Sequence, residues 1–170
     1  MSNSQDKAIS IELDLANRLF FRLYQCSNML HKTGTRAVEK EGLTTQQWAV
    51  LGALSREESA GGMSVGDLAR YLMVSRQNLS GLLNRMERHG HLRTVANERD
   101  RRSRLVHMSD SGRQLWLQQA IPKINEYYND VLSNFSADDV THALHYLLKL
   151  LDNMKRIDEA TRGRNGIEDN

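Results

Sequence analysis

One cysteine, one proline and only 6% aromatic residues make this 170-residue chain notable first for what it has little of. A lone Cys26 closes no internal disulfide, so no covalent staple holds the fold, and the thiol reads as a small apolar residue of the interior. With Pro122 the only proline, the chain has too little turn punctuation for a sandwich or barrel; its frequent Leu, Ala, Arg, Glu and Gln favour a mainly helical protein. No stretch approaches the roughly 18 uninterrupted apolar residues of a membrane span, and the opening MSNSQDKAIS has neither the basic start nor the apolar segment of a secretion signal. A soluble, cytoplasmic protein with no membrane partner is expected. A nucleophile elbow, a Gly-rich phosphate loop, an H-E-x-x-H motif and a plausible Cys/His pair are all missing, which argues against an enzyme and against a bound cofactor. The length suits one globular domain with added helices.

What is present is concentrated charge. The net charge is only +2, yet nine arginines (Arg70, Arg76, Arg85, Arg88, Arg93, Arg99, Arg101, Arg102, Arg104) face three acids (Glu87, Glu98, Asp100) between residues 70 and 104. This fifth of the chain carries +6 and the remainder −4. Arginine is the side chain whose planar fork suits phosphates and guanine edges, so an anionic polymer is the first partner to consider.

Helix starts repeat one device, a capping residue with an apolar residue before it and another inside the first turns. LTTQQW places Thr44 at the cap with Gln47 reaching back, and Leu43 against Trp48. MSVGDL does the same with Ser64 and Asp67, VSRQNL with Ser75, and FSADDV with Ser136 and Asp139. The spacing predicts a long helix from Glu12 to about Lys40, ended near Gly42, then Thr45 to about Arg56, Val65 to Leu72, and Arg76 to His89. After Gly90 the period changes to two. HLRTVA and RLVHM alternate as strands, with NERDRRS between them as a hairpin loop. Ser109 then caps a helix to about Asn134, kinked at Pro122, and a last helix runs from Ala137 to about Asp158.

Two short helices joined by a tight turn and followed by a two-stranded wing make a winged helix-turn-helix, whose second short helix enters the major groove. The expected class is mainly α with a small two- or three-stranded β wing, a winged helix-turn-helix lobe plus a helical dimerisation region. Four segments follow: an N-terminal helix over 1–42, the DNA-binding lobe over 43–108, C-terminal helices over 109–160, and a disordered tail over 161–170. In the second short helix Leu79, Leu82, Leu83 and Met86 form the core stripe, while Ser75, Arg76, Gln77, Asn78, Ser80, Gly81, Asn84 and Arg85 lie at its start and on its other face. These side chains can read base edges or hold phosphate, and Gly81 lets backbone come close.

With these residues in place the sequence resembles the MarR family of bacterial transcription regulators over nearly its whole length. LTTQQWAVLGAL, MSVGDLARYLMVSRQNLSGLLNRMERHGHLRT and NERDRRSRLVHMSDSGRQL stand in the family's order. The wing approximates its D-x-R-D-x-R pattern followed by L-T-x-x-G, with Asn97 in place of the first aspartate and Met108-Ser109 in place of Leu-Thr. The resemblance implies a homodimer whose outer helices form the interface and whose two lobes grip one pseudo-palindromic site on double-stranded DNA. Gln77, Asn78, Ser80 and Asn84 would read bases, Arg76 and Arg85 bases or phosphates, and Arg99, Asp100, Arg101, Arg102 and Arg104 would form the wing. Arg101 is expected in the minor groove, with Asp100 bracing Arg102 or Arg99.

The resemblance further implies a repressor of a catabolic operon, released by a small effector seated between the dimer helices and the lobe. Candidate contacts are Arg22, Tyr24, His31, Lys32, Arg36 and Trp48, since an aromatic anion needs a cation and a flat apolar wall. An aromatic carboxylate or its coenzyme A thioester is the expected ligand. Excess apolar residues in the outer helices, among them Ile9, Ile11, Leu13, Leu15, Leu144, Leu147, Leu148 and Leu151, agree with dimerisation. A thiol sensor is disfavoured, because Phe20 stands where oxidant-sensing relatives carry cysteine. Two other readings compete: a winged-helix module that binds protein instead of DNA, and a metal-responsive regulator using His89/His91 or His142/His145. No metal site is expected.

Overall fold

The computed structural model describes residues 2–97, 100 and 103–168, with side chains over 12–97, 100 and 103–161. It comprises two compact units, Met1–Tyr128 and Asn129–Asn170. In the first, helix α1 spans Ser2–Val38, beginning well before Glu12, and passes into a single 3-10 turn, Glu39–Glu41. Gly42 ends it at φ 72°, a left-handed conformation that a side chain disfavours, with its N–H donated to the Glu39 carbonyl. Only the C-terminal end of α1 is packed. Val38 is fully buried, and Gly34 sits where an added Cβ would lie 3.1 Å from Thr45 Oγ1 and 3.2 Å from the Trp48 ring. Cys26, expected inside, is exposed, because it stands upstream of the stretch that meets helix α2.

Helix α2, Thr45–Leu54, starts as its sequence dictates. Thr44 Oγ1 accepts the Gln47 N–H at 3.3 Å and Gln47 Oε1 accepts the Thr44 N–H at 2.8 Å, a reciprocal cap that also satisfies Gln47 where it is buried. The helix buries Trp48, Val50, Leu51, Ala53 and Leu54 and contributes more than one face to the core. Strand β1, Met63–Ser64, leads into α3, Val65–Leu72, capped by the Ser64 hydroxyl. Met73 then adopts φ 54° and donates to the Ala69 and Arg70 carbonyls, closing the tight turn that sends the chain into α4, Arg76–Arg88.

Strands β2, Leu92–Ala96, and β3, Arg104–Met108, form the expected hairpin, with Leu92 opposite Met108 and Ala96 opposite Arg104. The two residues of β1 add a third antiparallel strand, pairing Met63 with Val106, so the order is β1-β3-β2. Ser109 caps α5, Asp110–Leu115, and a wider π-type turn, Trp116–Ala120, joins it to α6, Ile121–Val131. The irregularity falls where Pro122 requires it: proline has no N–H to give the carbonyl one turn back, and its ring crowds that turn. In the second unit α7 runs Ala137–Glu168, opened by Ser136 and Asp139 in a reciprocal cap. Its helical backbone continues through 161–168, where the composition suggested a tail.

Candidate nucleic-acid interface and effector region

Helix α4 hangs on the core by Leu79, Leu82, Leu83 and Met86, all buried, and this fixes which face is left outside. Arg76, Gln77, Asn78, Ser80, Asn84, Arg85 and Arg88 are exposed. Ser75 is the cap, accepting the Asn78 N–H at 3.2 Å. Ser80 donates its hydroxyl to the Arg76 carbonyl at 2.7 Å, which leaves it lone pairs for an N–H donor on a base edge. At Gly81 an added Cβ would meet only Arg85 Nη1, at 3.7 Å, so nothing within the chain requires a glycine there.

Arg76 has a second engagement that the sequence did not reveal. Its guanidinium lies over Gly66 at the start of α3, where an added Cβ would be 2.9 Å from Nη2. The Ser64 hydroxyl, then the charges of Arg70 and Arg76, hold the Asp67 carboxyl below the usual carboxylate range. Asp67 and Arg70 are also ion-paired. The Arg76 charge at the start of α4 thus lies close enough to the first turn of α3 to act on Asp67. Farther along, Glu87 Oε1 accepts the Thr94 N–H at 3.0 Å and fastens α4 to β2.

The wing rises from β2 and β3. Its base is closed by Asn97, whose N–H meets the Ser103 carbonyl at 3.2 Å and whose Nδ2 donates to Ser103 Oγ at 2.8 Å. Ser103 spends its own hydroxyl hydrogen on the Asp100 carbonyl, so an amide donor at position 97 fits where an aspartate would have none to offer. Asp100 is exposed, as is Arg104 on β3. Arg99, Arg101 and Arg102, with the expected division between a braced and an inserted arginine, lie outside the described residues.

The six expected effector contacts are not gathered in one place. Trp48 is buried against Tyr127, edge-on at 6.0 Å between ring centroids, and against Tyr128 at 5.6 Å. Thr33 of α1 is hydrogen-bonded to the Tyr127 hydroxyl at 2.9 Å, and burial raises the Tyr128 phenol. These three rings form an aromatic cluster of α2 and α6, and its tyrosines were not singled out in the sequence, although the adjacent pair in NEYYND was visible. His31 borders a separate cleft that also includes Asn78. Arg22 is bonded to Gln25 at 2.7 Å, and Tyr24, Lys32 and Arg36 are exposed on α1. Among the described residues no group of three His, Cys, Asp or Glu side chains is placed to hold a metal ion, and no helix is long and apolar enough to cross a membrane. His89 and His91 meet ring to ring at 5.9 Å, and burial with the neighbouring His89 lowers the His91 imidazole.

Comparison with known proteins adds four findings. The model of the MarR family matches residues 41–103. The transcriptional activatory protein BadR of Rhodopseudomonas palustris is 69% identical over 164 residues, 96% of this chain and 94% of that protein. The homoprotocatechuate degradative operon repressor of Escherichia coli is 30% identical over 110 residues, 65% of this chain and 72% of the repressor. Among solved structures, that of the Staphylococcus aureus MepR-DNA complex superimposes with a TM-score of 0.69 at 20% identity, over 79% of this chain and 96% of that one.

Proposed function

The chain belongs to the MarR family of transcription regulators, and from that premise we propose that it is a homodimeric, effector-responsive regulator that binds a pseudo-palindromic site on double-stranded DNA. The observation that carries this reading is α4, which is anchored by its buried leucines and presents Gln77, Asn78, Ser80, Asn84 and Arg85 on its free face. The helix would lie in the major groove, with Arg93 and Arg104 of the wing near the backbone. Exposed apolar side chains support dimerisation. Leu13, Leu15, Leu19 and Phe20 of α1, and Leu144, Leu147, Leu148 and Ile157 of α7, are each at least 46% exposed in the single chain.

The sign of regulation follows the stronger likeness. The 69% identical relative is named an activatory protein and the 30% identical one a repressor, so activation is preferred over the repression first expected. The effector would be an aromatic carboxylate or its coenzyme A thioester. In support stand the aromatic wall of Trp48, Tyr127 and Tyr128 and the exposed cations Arg22, Lys32 and Arg36. To switch DNA occupancy from nearly full to nearly empty, the effector must distinguish the two states by about 5.5 kcal/mol.

A salt titration tests the central reading. Duplexes selected from a random pool should bind tightly at low salt, and log affinity should fall linearly with log salt, at about −0.9 per neutralised phosphate. No duplex affinity at low salt would sink it and favour a protein-binding winged helix.

A further inference from the structure

Gly66, the second residue of α3, has no backbone reason to be glycine. Its φ lies outside the left-handed region that Gly42, Gly62 and Gly90 occupy, and within a helix alanine would lose less conformational freedom on folding. What the missing side chain leaves is room for Arg76. The three atoms nearest to an added Cβ all belong to that one side chain: Nη2 at 2.9 Å, Cζ at 3.2 Å and Nε at 3.4 Å. Arg76 is the first residue of α4, beyond the turn closed by Met73, so a residue of one helix seats the guanidinium of the next.

The seat leaves that guanidinium unspent. Asp67, beside Gly66, is ion-paired with Arg70 and accepts the Ser64 hydroxyl, so Arg76 feels its charge without a bond to it. Among the described residues no hydrogen bond or ion pair takes the side-chain donors of Arg76, which is exposed. Its position indicates the partner. In a helix-turn-helix the second helix enters the major groove while the first crosses the phosphate backbone. A guanidinium lying back over the first turn of α3 is on that backbone side, apart from the amide and hydroxyl side chains farther along α4. The planar fork matches two phosphate oxygens, and a fork whose orientation is set before DNA arrives has less side-chain freedom to lose on binding.

We infer that Gly66 is a positioning residue for DNA binding: by offering no side chain it holds the Arg76 guanidinium on the start of α3, for a backbone phosphate and withdrawn from base reading. The inference rests on α3 and α4 being the DNA-binding helix pair. Affinity of the intact protein for a selected duplex, followed by fluorescence anisotropy across a salt series, tests it, with Tm read alongside. Arg76→Ala should lower affinity about 10-fold for each lobe engaged, the scale of a charge-assisted hydrogen bond. It should also flatten the salt slope by about 0.9 per lobe, with base preference in a binding-site selection unchanged. Gly66→Ala should weaken binding in the same direction while Tm is kept or raised, because the flexible guanidinium and not the backbone gives way. In the Arg76→Ala background Gly66→Ala should cost nothing further, the non-additivity of a residue that acts through another. Losses that simply add, affinity unmoved by Gly66→Ala, or a lower Tm in that variant would each overturn the positioning role. A shifted base preference in Arg76→Ala would make that arginine a base reader and overturn the phosphate contact. If the unaltered protein binds no duplex at low salt, the DNA reading fails and this inference with it.

Discussion

Gly112 occupies the glycine position of the wing's closing motif, and a single added methyl group there should loosen the junction between the wing and α5. An ideal Cβ at Gly112 would lie 2.0 Å from the backbone oxygen of His91. Carbon and carbonyl oxygen in favourable contact are about 3.3–3.6 Å apart, so the two backbones must separate by more than about 1 Å. Neither is the end of a flexible side chain, and the separation strains the bonds that define the junction. Those are the Ser109 N–H to the His91 carbonyl at 3.1 Å, and the Ser109 and Ser111 hydroxyls to the Gly90 carbonyl, the latter at 2.6 Å. Losing three bonds at about 0.5–1.5 kcal/mol each, offset by about 0.5–1 kcal/mol from replacing a helical glycine with alanine, leaves Gly112→Ala destabilised by about 2 kcal/mol. For a chain of this length that lowers Tm by about 4–8 °C. Differential scanning calorimetry at matched protein concentration reads it, since the proposed dimerisation would make Tm concentration-dependent. Gly81→Ala is the internal comparison: its Cβ meets only Arg85 Nη1 at 3.7 Å, so Tm should rise slightly while duplex affinity falls if the backbone there approaches DNA. A Gly112→Ala protein with unchanged Tm would refute the reasoning.

Arg104→Ala should weaken binding to all duplexes alike and reduce the salt slope by about one, as for a phosphate contact; a changed base preference in a binding-site selection would make it a reader instead. Burial, with the charge of Arg93 opposite it in the sheet, depresses the His107 imidazole in the folded state, and burial with His89 does the same for His91. The unfolded chain therefore takes up protons first as pH falls below about 6.5, so the stability these neutral rings contribute is present above that value and lost as pH drops toward their folded pKa values. His107→Gln should flatten that acid limb in urea melts followed from pH 7.5 to 5; an unaltered pH profile would remove His107 as its source. Leu147→Asp, placing a charge on the exposed apolar face of α7, should shift the protein from dimer to monomer in sedimentation equilibrium, and an unshifted mass would take that residue out of the interface.

The helix starts were legible because each is a local event. Thr44 with Gln47, Ser75 with Asn78, and Ser136 with Asp139 bond within three residues of one another, so the residue types at those spacings already specify the cap. The hairpin was equally plain, since the switch from helical to alternating period needs no distant partner. The exposed face of α4 followed from its leucine stripe, because what the core takes on one side it leaves exposed on the other. Cys26 was misplaced for the opposite reason: whether a small residue is inside depends on where α1 meets α2, not on its own chemistry.

By itself, then, the sequence determined the helix-turn-helix and wing, the caps that begin their helices, and the concentration of arginine that points to DNA, since all of these reside in spacings of a few residues. The tertiary structure alone decided the third strand at Met63–Ser64, the Trp48–Tyr127–Tyr128 wall, the guanidinium of Arg76 over Gly66, and the cleft that joins His31 to Asn78. Each of these brings together residues from different elements. Their meeting is set by the packing of the whole core, whose short-range, shape-dependent contacts leave no periodic trace along the chain.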